Sequence, residues 1–194
     1  MQNGFPPLMR SFPGLRFDIR QAGSEALQRL VASGQVDIAI AYDPILLPGT
    51  RSLAMARQPL CAILPPSSAL AGGGVLDLAD VLDQPFAILN GSHAIHRLLG
   101  RAAADRGLIL RPVVETDSIG LLLRYVTAGL GLTFLPRFSA AIQEARGDLV
   151  IREIDAPLLH MASAHVSVRA RRRLPRSVNA VAGFLSDRMI AFRG

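Results

Sequence analysis

Val126-Thr127-Ala128-Gly129-Leu130-Gly131-Leu132-Thr133-Phe134-Leu135-Pro136 brings a helix end, a glycine stop and a buried strand into one stretch. Ile119, Leu122, Leu123 and Val126 form the helical stripe that leads into it. Thr116, Asp117 or Ser118 is positioned to cap that helix. Gly129 and Gly131 end it. The unbroken apolar run Leu132 to Leu135 reads as a strand covered on both faces. Far upstream, Leu30-Val31-Ala32-Ser33-Gly34-Gln35-Val36 repeats the order of helix end, glycine and strand. Two such units suggest two similarly built α/β lobes.

Reading outward, Leu15 to Arg20 alternates apolar and polar residues, as a half-covered strand does. Ser24 reads as the cap of the next helix, with Glu25 in its first turn. Ala26, Leu27, Leu30 and Val31 give that helix its stripe, and Gly34 its left-handed stop. Val36 to Ala41 reads as a buried parallel strand, so residues 15 to 41 form a β-α-β unit. One or two strands follow over 51 to 64. Pro65-Pro66-Ser67-Ser68 and Gly72-Gly73-Gly74 then mark the best candidate for a boundary.

Beyond it, a short helix spans Asp77 to Leu82 and a strand spans Phe86 to Leu89. A helix carries Ile95, Leu98, Leu99, Ala102 and Ala103, with Gly107 as its stop. Pro112 to Glu115 reads as a strand. The tail holds strands near 149 to 154 and 160 to 168. Pro175 opens a last helix with the stripe Val178, Val181, Ala182, Leu185 and Met189. If this strand and helix return to the first lobe, the chain crosses between lobes twice, which makes a hinged cleft.

Composition narrows the function classes. Half the residues are hydrophobic and 19% are charged, so the chain is not disordered throughout. A chain of 194 residues buries roughly 70% of its unfolded surface. No apolar run reaches membrane-spanning length. All 21 basic residues are Arg, and the net charge is +6. These arginines are dispersed apart from Arg169, Arg171, Arg172, Arg173 and Arg176, and no aromatic residues interleave with them. That pattern fits a solvated surface better than a nucleic-acid groove. Met1 to Pro7 lacks the features of a secretion signal, so a cytoplasmic location is expected, with Cys61 a reduced, inert core thiol.

Catalytic signatures are missing. There is no Gly-x-Ser-x-Gly elbow, no phosphate-binding loop and no dinucleotide fingerprint, so neither an enzyme nor a cofactor is expected. His93 and His96 lie three apart without a third ligand, and no metal site is expected. His160 and His165 fall on opposite faces of an expected strand and read as structural. The clearest candidate site is Asn90-Gly91-Ser92-His93, between a strand end and a helix start. Backbone N–H groups there, with the helix dipole, favour an anion; an ordinary helix cap uses the same residues. Thr116-Asp117-Ser118 is a second such turn, where Glu115 and Asp117 oppose an anion. Tyr42 follows a strand of the first lobe at the end where α/β sheets hold ligands.

In their order, these segments resemble the effector-binding domain of LysR-type transcriptional regulators, over nearly the whole chain from about Phe12. Phe12-Pro13-Gly14-Leu15-Arg16-Phe17 is similar to the family's helix end, proline and second strand. Gly34-Gln35-Val36-Asp37-Ile38-Ala39-Ile40 resembles its Gly-x-Leu-Asp-Leu-Ala strand. Val126 to Pro136 resembles its Val-Ala-x-Gly-Leu-Gly-Ile-x-x-Leu-Pro segment, and Val168-Arg169 through Leu174-Pro175 its ending. The resemblance implies an α/β chain of two Rossmann-like lobes joined by two crossing strands, the type 2 periplasmic-binding-protein fold. Residues 1–64 with 169–194 would form the first lobe and 65–168 the second.

A small organic, anionic effector would bind between the lobes. Asn90, Gly91 and Ser92 would touch it from the second lobe, with Thr116, Asp117, Thr133 and Phe134 on the same wall and Tyr42 opposite. The family also implies side-by-side dimers, or tetramers at full length. DNA would be bound only through a winged helix-turn-helix, of which this chain carries no counterpart. A stand-alone solute-binding protein of the same fold is the alternative reading.

Overall fold

The computed structural model describes residues 5–170 and 173–191, so Arg171 and Arg172 of the arginine cluster lie outside the described residues. The chain forms two compact units, residues 1–57 with 163–194, and residues 58–162. It therefore passes from one unit to the other twice. The expected boundaries differ from these at two strands, which go where their ladder partners are. Leu60–Leu64 pairs within the second unit and Ser163–Arg169 within the first. Neither Pro65-Pro66-Ser67-Ser68 nor Gly72-Gly73-Gly74 is a boundary; both belong to the second unit.

In the first unit, helices α1 (Phe5–Ser11) and α2 (Ser24–Ser33) precede strands β1 (Ile38–Tyr42) and β2 (Thr50–Arg57). The late strand β8 (Ser163–Arg169) lies between these two, antiparallel to both. The last helix, α8 (Arg176–Ala191), packs on β2 and β8, burying Val181 and Ala182. Phe184 of α8 meets Phe12 edge-to-face at 5.6 Å.

Three expectations are corrected here. β1 is antiparallel to its neighbour and alternates half-buried with buried positions, because β8 comes back against it. Leu15 to Arg20 is not a strand: it joins neither ladder of the three-stranded sheet, and Ile19 is 56% exposed. Alternation supplies one sheet face, but a strand also needs a hydrogen-bonding neighbour. Ser24 does not cap α2. Gly23 holds that place, and the Ser24 hydroxyl donates to Tyr42 O at 2.9 Å, fastening the helix start to the end of β1. Gly34 does close α2 with φ 78°.

The second unit is built on a five-stranded sheet in the order β5-β4-β6-β3-β7. Its strands are β3 (Leu60–Leu64), β4 (Phe86–Leu89), β5 (Val114–Thr116), β6 (Leu132–Pro136) and β7 (Val150–Glu153). β5, β4 and β6 run parallel; β3 is antiparallel to β6 and β7. β3, β4 and β6 are buried at every position, which explains their unbroken apolar sequences.

Helices α3 (Leu78–Leu82), α4 (Ala94–Ala104), α5 (Ile119–Thr127), α6 (Ala141–Ala145) and α7 (Pro157–His160) complete the unit. The expected stripe of α4 is buried throughout, Ile95, Leu98, Leu99, Ala102 and Ala103, and that of α5 is buried at Leu122, Leu123 and Val126 but only half-buried at Ile119. His160 ends α7 rather than sitting in a strand, with Nε2 2.7 Å from Ile154 O. Asp77 caps α3, accepting from Ala79 N at 2.7 Å. That bond, helped by Arg106 at 3.0 Å, holds its carboxyl below the usual carboxylate range.

Candidate functional site

Parallel pairing of β4 with β5 brings their carboxyl ends to one end of the sheet, and each strand runs into a helix. The β4 exit is Asn90-Gly91-Ser92-His93 and the β5 exit is Thr116-Asp117-Ser118. Asn90 N–H donates to Thr116 O at 2.8 Å, so the two turns form one polar rim. Asn90 Oδ1 accepts from Ser92 N at 3.2 Å and from Ser92 Oγ at 2.7 Å, folding the first turn on itself. No side chain caps α4, so its leading N–H groups keep their donor capacity. In the second turn Thr116 Oγ1 accepts from Ser118 N at 3.1 Å, and Ser118 Oγ accepts from Leu121 N at 3.2 Å. Of the three candidates for the α5 cap, Ser118 is the one used.

Gly91, Ser92, Asp117 and Ser118 are exposed, while Asn90, His93 and Thr116 are half-buried. Burial holds the His93 imidazolium below its usual 6.5, and Asp117 opposes that shift. The rim thus carries two helix starts of positive polarity, a neutral imidazole at neutral pH and one carboxylate. Such a set has the chemistry that suits an anionic group at α4 and a hydroxyl or amide donor at Asp117.

Two residues expected on this wall are placed elsewhere. Thr133 and Phe134 are fully buried in β6. Thr133 Oγ1 donates to Ala87 O at 2.7 Å, and Phe134 meets Phe86 edge-to-face at 5.4 Å. They are core side chains, because every position of β6 is covered. Tyr42 ends β1 in the first unit, half-buried. The approach of Asp117 to His93 could not be read from the sequence, since the two lie on different turns. Cys61 is buried in β3, where burial pushes its thiol up to about 11; it stays protonated and inert. No group of His, Cys, Asp or Glu among the described residues is arranged to hold a metal. No helix among them is long and apolar enough to cross a membrane.

His165 of the first unit is also held below 6.5 by burial, against the pull of Asp43. Below pH 6.5 the unfolded chain therefore binds protons that the folded chain refuses at His93 and His165. Stability is fully present above that pH and falls as the pH drops below it. The urea midpoint should decline through this window, and the double substitution His93→Gln, His165→Gln should flatten the decline. A midpoint that rises on acidification would contradict this.

The LysR substrate binding domain family matches residues 4–190. The HTH-type transcriptional regulator BbuR of Bordetella bronchiseptica is 26% identical over 186 residues, 96% of this chain and 57% of that protein. The regulator CbbR of Cereibacter sphaeroides is 30% identical over 165 residues, 75% of this chain and 52% of that protein. The chain thus spans about half the length of the curated relatives it matches. Among solved structures, the CcmR regulatory domain of Synechocystis PCC6803 in complex with 2-PG superposes with a TM-score of 0.77. It is 18% identical, with 98% of this chain and 91% of that one covered. The effector binding domain of QuiR in complex with shikimate gives a TM-score of 0.75 at 16% identity, covering 96% and 90%. These likenesses show the fold, the periplasmic-binding-protein-like type 2 architecture. With the two α/β units, the helix–glycine–strand stretch at 126–136 and a family match over nearly the whole length, the chain belongs to the LysR substrate-binding domain family.

Proposed function

We propose that the chain is the sensing part of a transcriptional regulator, and that the rim at 90–93 and 116–118 takes hold of a small organic anion. The observation that carries this reading is the Asn90 N–H to Thr116 O bond, which sets two helix starts side by side at the carboxyl ends of parallel strands. Gly91 and the first residues of α4 supply backbone donors and His93 a neutral ring to the anionic group, in a turn shaped by Asn90 and Ser92. Thr116, Asp117 and Ser118 choose among ligands by the hydroxyl groups they carry. The named ligands of QuiR and CcmR support a carboxylate-bearing effector here. Effector binding would shift the balance between two arrangements of the protein, and attached DNA-binding segments of a cytoplasmic dimer would report that shift.

Isothermal titration with a panel of small carboxylates and aromatic acids, shikimate and 2-PG included, tests this. At least one is expected to bind one-to-one. Asn90→Ala, which removes the acceptor that folds the first turn, and Ser118→Ala, which uncaps α5 in the second, should each weaken that ligand about tenfold. A panel without a binder, or a binder indifferent to both changes, would remove the rim from the account.

A further inference from the structure

The two units carry unlike charges. The first, residues 1–57 with 163–194, holds 13 Arg against 5 Asp and Glu; the second, residues 58–162, holds 8 Arg against 10. The net charges are +8 and −2, which make up the +6 of the chain. Arginines that are dispersed in the sequence are thus concentrated in one unit.

Strand register gathers part of that excess at one end of the three-stranded sheet. β8 ends at Arg169 where β2 begins, with Thr50 opposite Arg169 and Arg51 opposite Val168. Ala170 N–H donates to Gly49 O at 2.8 Å, which keeps the two strands together up to that end. Arg169 reaches over the last turn of α2: its Nη1 lies 2.9 Å from where a Cβ on Gly34 would stand. The negative polarity of a helix C-terminus holds a cation there. Arg173 follows, and Arg176 opens α8. Arg51, Arg169, Arg173 and Arg176 are all exposed, and among the described residues no carboxylate forms an ion pair with any of them. Asp37, just ahead of β1, brings one carboxylate to the same end.

A guanidinium is a fixed fork of donors that fits phosphate oxygens, and a unit with this excess of positive charge attracts polyanions. No aromatic residue lies between positions 169 and 176, so unpaired bases find no ring to stack on there. A duplex, whose bases are already stacked and whose phosphates line its surface, is the polyanion that suits such an end. We infer that the arginine end of the first unit binds the phosphate backbone of duplex DNA without reading its sequence. This rests on the reading of the chain as part of a transcriptional regulator, which brings DNA within reach. It departs from the expectation that DNA is held only through a helix-turn-helix.

Fluorescence anisotropy of a labelled duplex of arbitrary sequence, titrated with the chain, tests this. Binding is expected with Kd below about 100 μM at about 50 mM salt, and four phosphate contacts give log affinity against log salt a slope of about −3 to −4. Affinity should then fall about a hundredfold between about 50 and 200 mM salt. Arg51→Gln with Arg169→Gln should weaken the duplex at least about tenfold and make the slope shallower by about two. Arg173→Gln with Arg176→Gln, at exposed positions beyond the sheet, should do the same, so the inference is tested even where the first pair disturbs the fold. Arg111→Gln with Arg146→Gln removes equal charge from exposed positions of the second unit and should leave affinity nearly unchanged. Asn90→Ala and Ser118→Ala should also leave duplex binding unchanged, so failure of the rim and failure of the arginine end give different results. The inference is overturned if no duplex binds, if the slope is near zero, or if the second-unit pair weakens binding as much as the first-unit pairs. It is equally overturned if a single strand of the same length, or a polyglutamate of matched charge, binds as tightly as the duplex.

Discussion

Gly131→Ala is expected to destabilise the second unit by about 3 kcal/mol or more, among the largest effects of any single methyl group. A Cβ built at Gly131 would lie 2.2 Å from Pro85 O and 2.9 Å from Pro85 C, with φ at +153°. Tyr125 Oη, at 2.8 Å, sits on a side chain that can swing aside; the Pro85 carbonyl cannot. That carbonyl already accepts from Leu132 N at 3.0 Å, the bond that seats the start of β6 beside the start of β4. Moving Pro85 away would pull this ladder apart. With a urea slope of about 1–3 kcal/mol/M, the midpoint should fall by about 1–3 M. A fall corresponding to less than about 1 kcal/mol would mean that the backbone relaxes more easily than the close packing of β4 and β6 implies. Gly129 is a useful contrast: it has φ +71° but open space around it. Alanine there strains the backbone without striking a neighbour, and should cost only about 1 kcal/mol.

Phe134→Ala is expected to cost about 3–5 kcal/mol of stability, the range for a large aromatic removed from a tight core. Phe134 is fully buried and loses its edge-to-face contact with Phe86. Phe134→Leu keeps most of the volume and should cost less, about 1–2 kcal/mol. The pair separates the two roles open to this residue. A core side chain shows its loss in the urea midpoint, with the effector affinity of the folded protein unchanged by Phe134→Leu. A wall residue would show the reverse: reduced affinity at unchanged stability. Finding that reverse pattern would return Phe134 to the ligand wall and contradict its burial.

The helices were legible because a 3.6-residue stripe records burial directly. The apolar positions of α4 and α5 are the ones that pack against the sheet. β3, β4 and β6 were legible because strands covered on both faces must be apolar throughout. The rim was legible only as two separate turns, since Asn90 and Thr116 are far apart in the chain and meet through strand pairing. Thr133 was put on the ligand wall by the family resemblance, although the run Leu132 to Leu135 already read as covered on both faces. Here its hydrogen is given to Ala87 O, and the residue belongs to the core.

Period, glycine position and apolar run length are local properties of the chain, so the sequence alone determined the two α/β units, most of the elements and the family. Strand neighbours are not local. The antiparallel course of β1, the missing ladder at Leu15–Arg20 and the transfer of β3 to the second unit were decided by β8, β6 and β7. Each of those partners lies far away in sequence, and a backbone hydrogen bond carries no mark of its partner in the side chains that flank it.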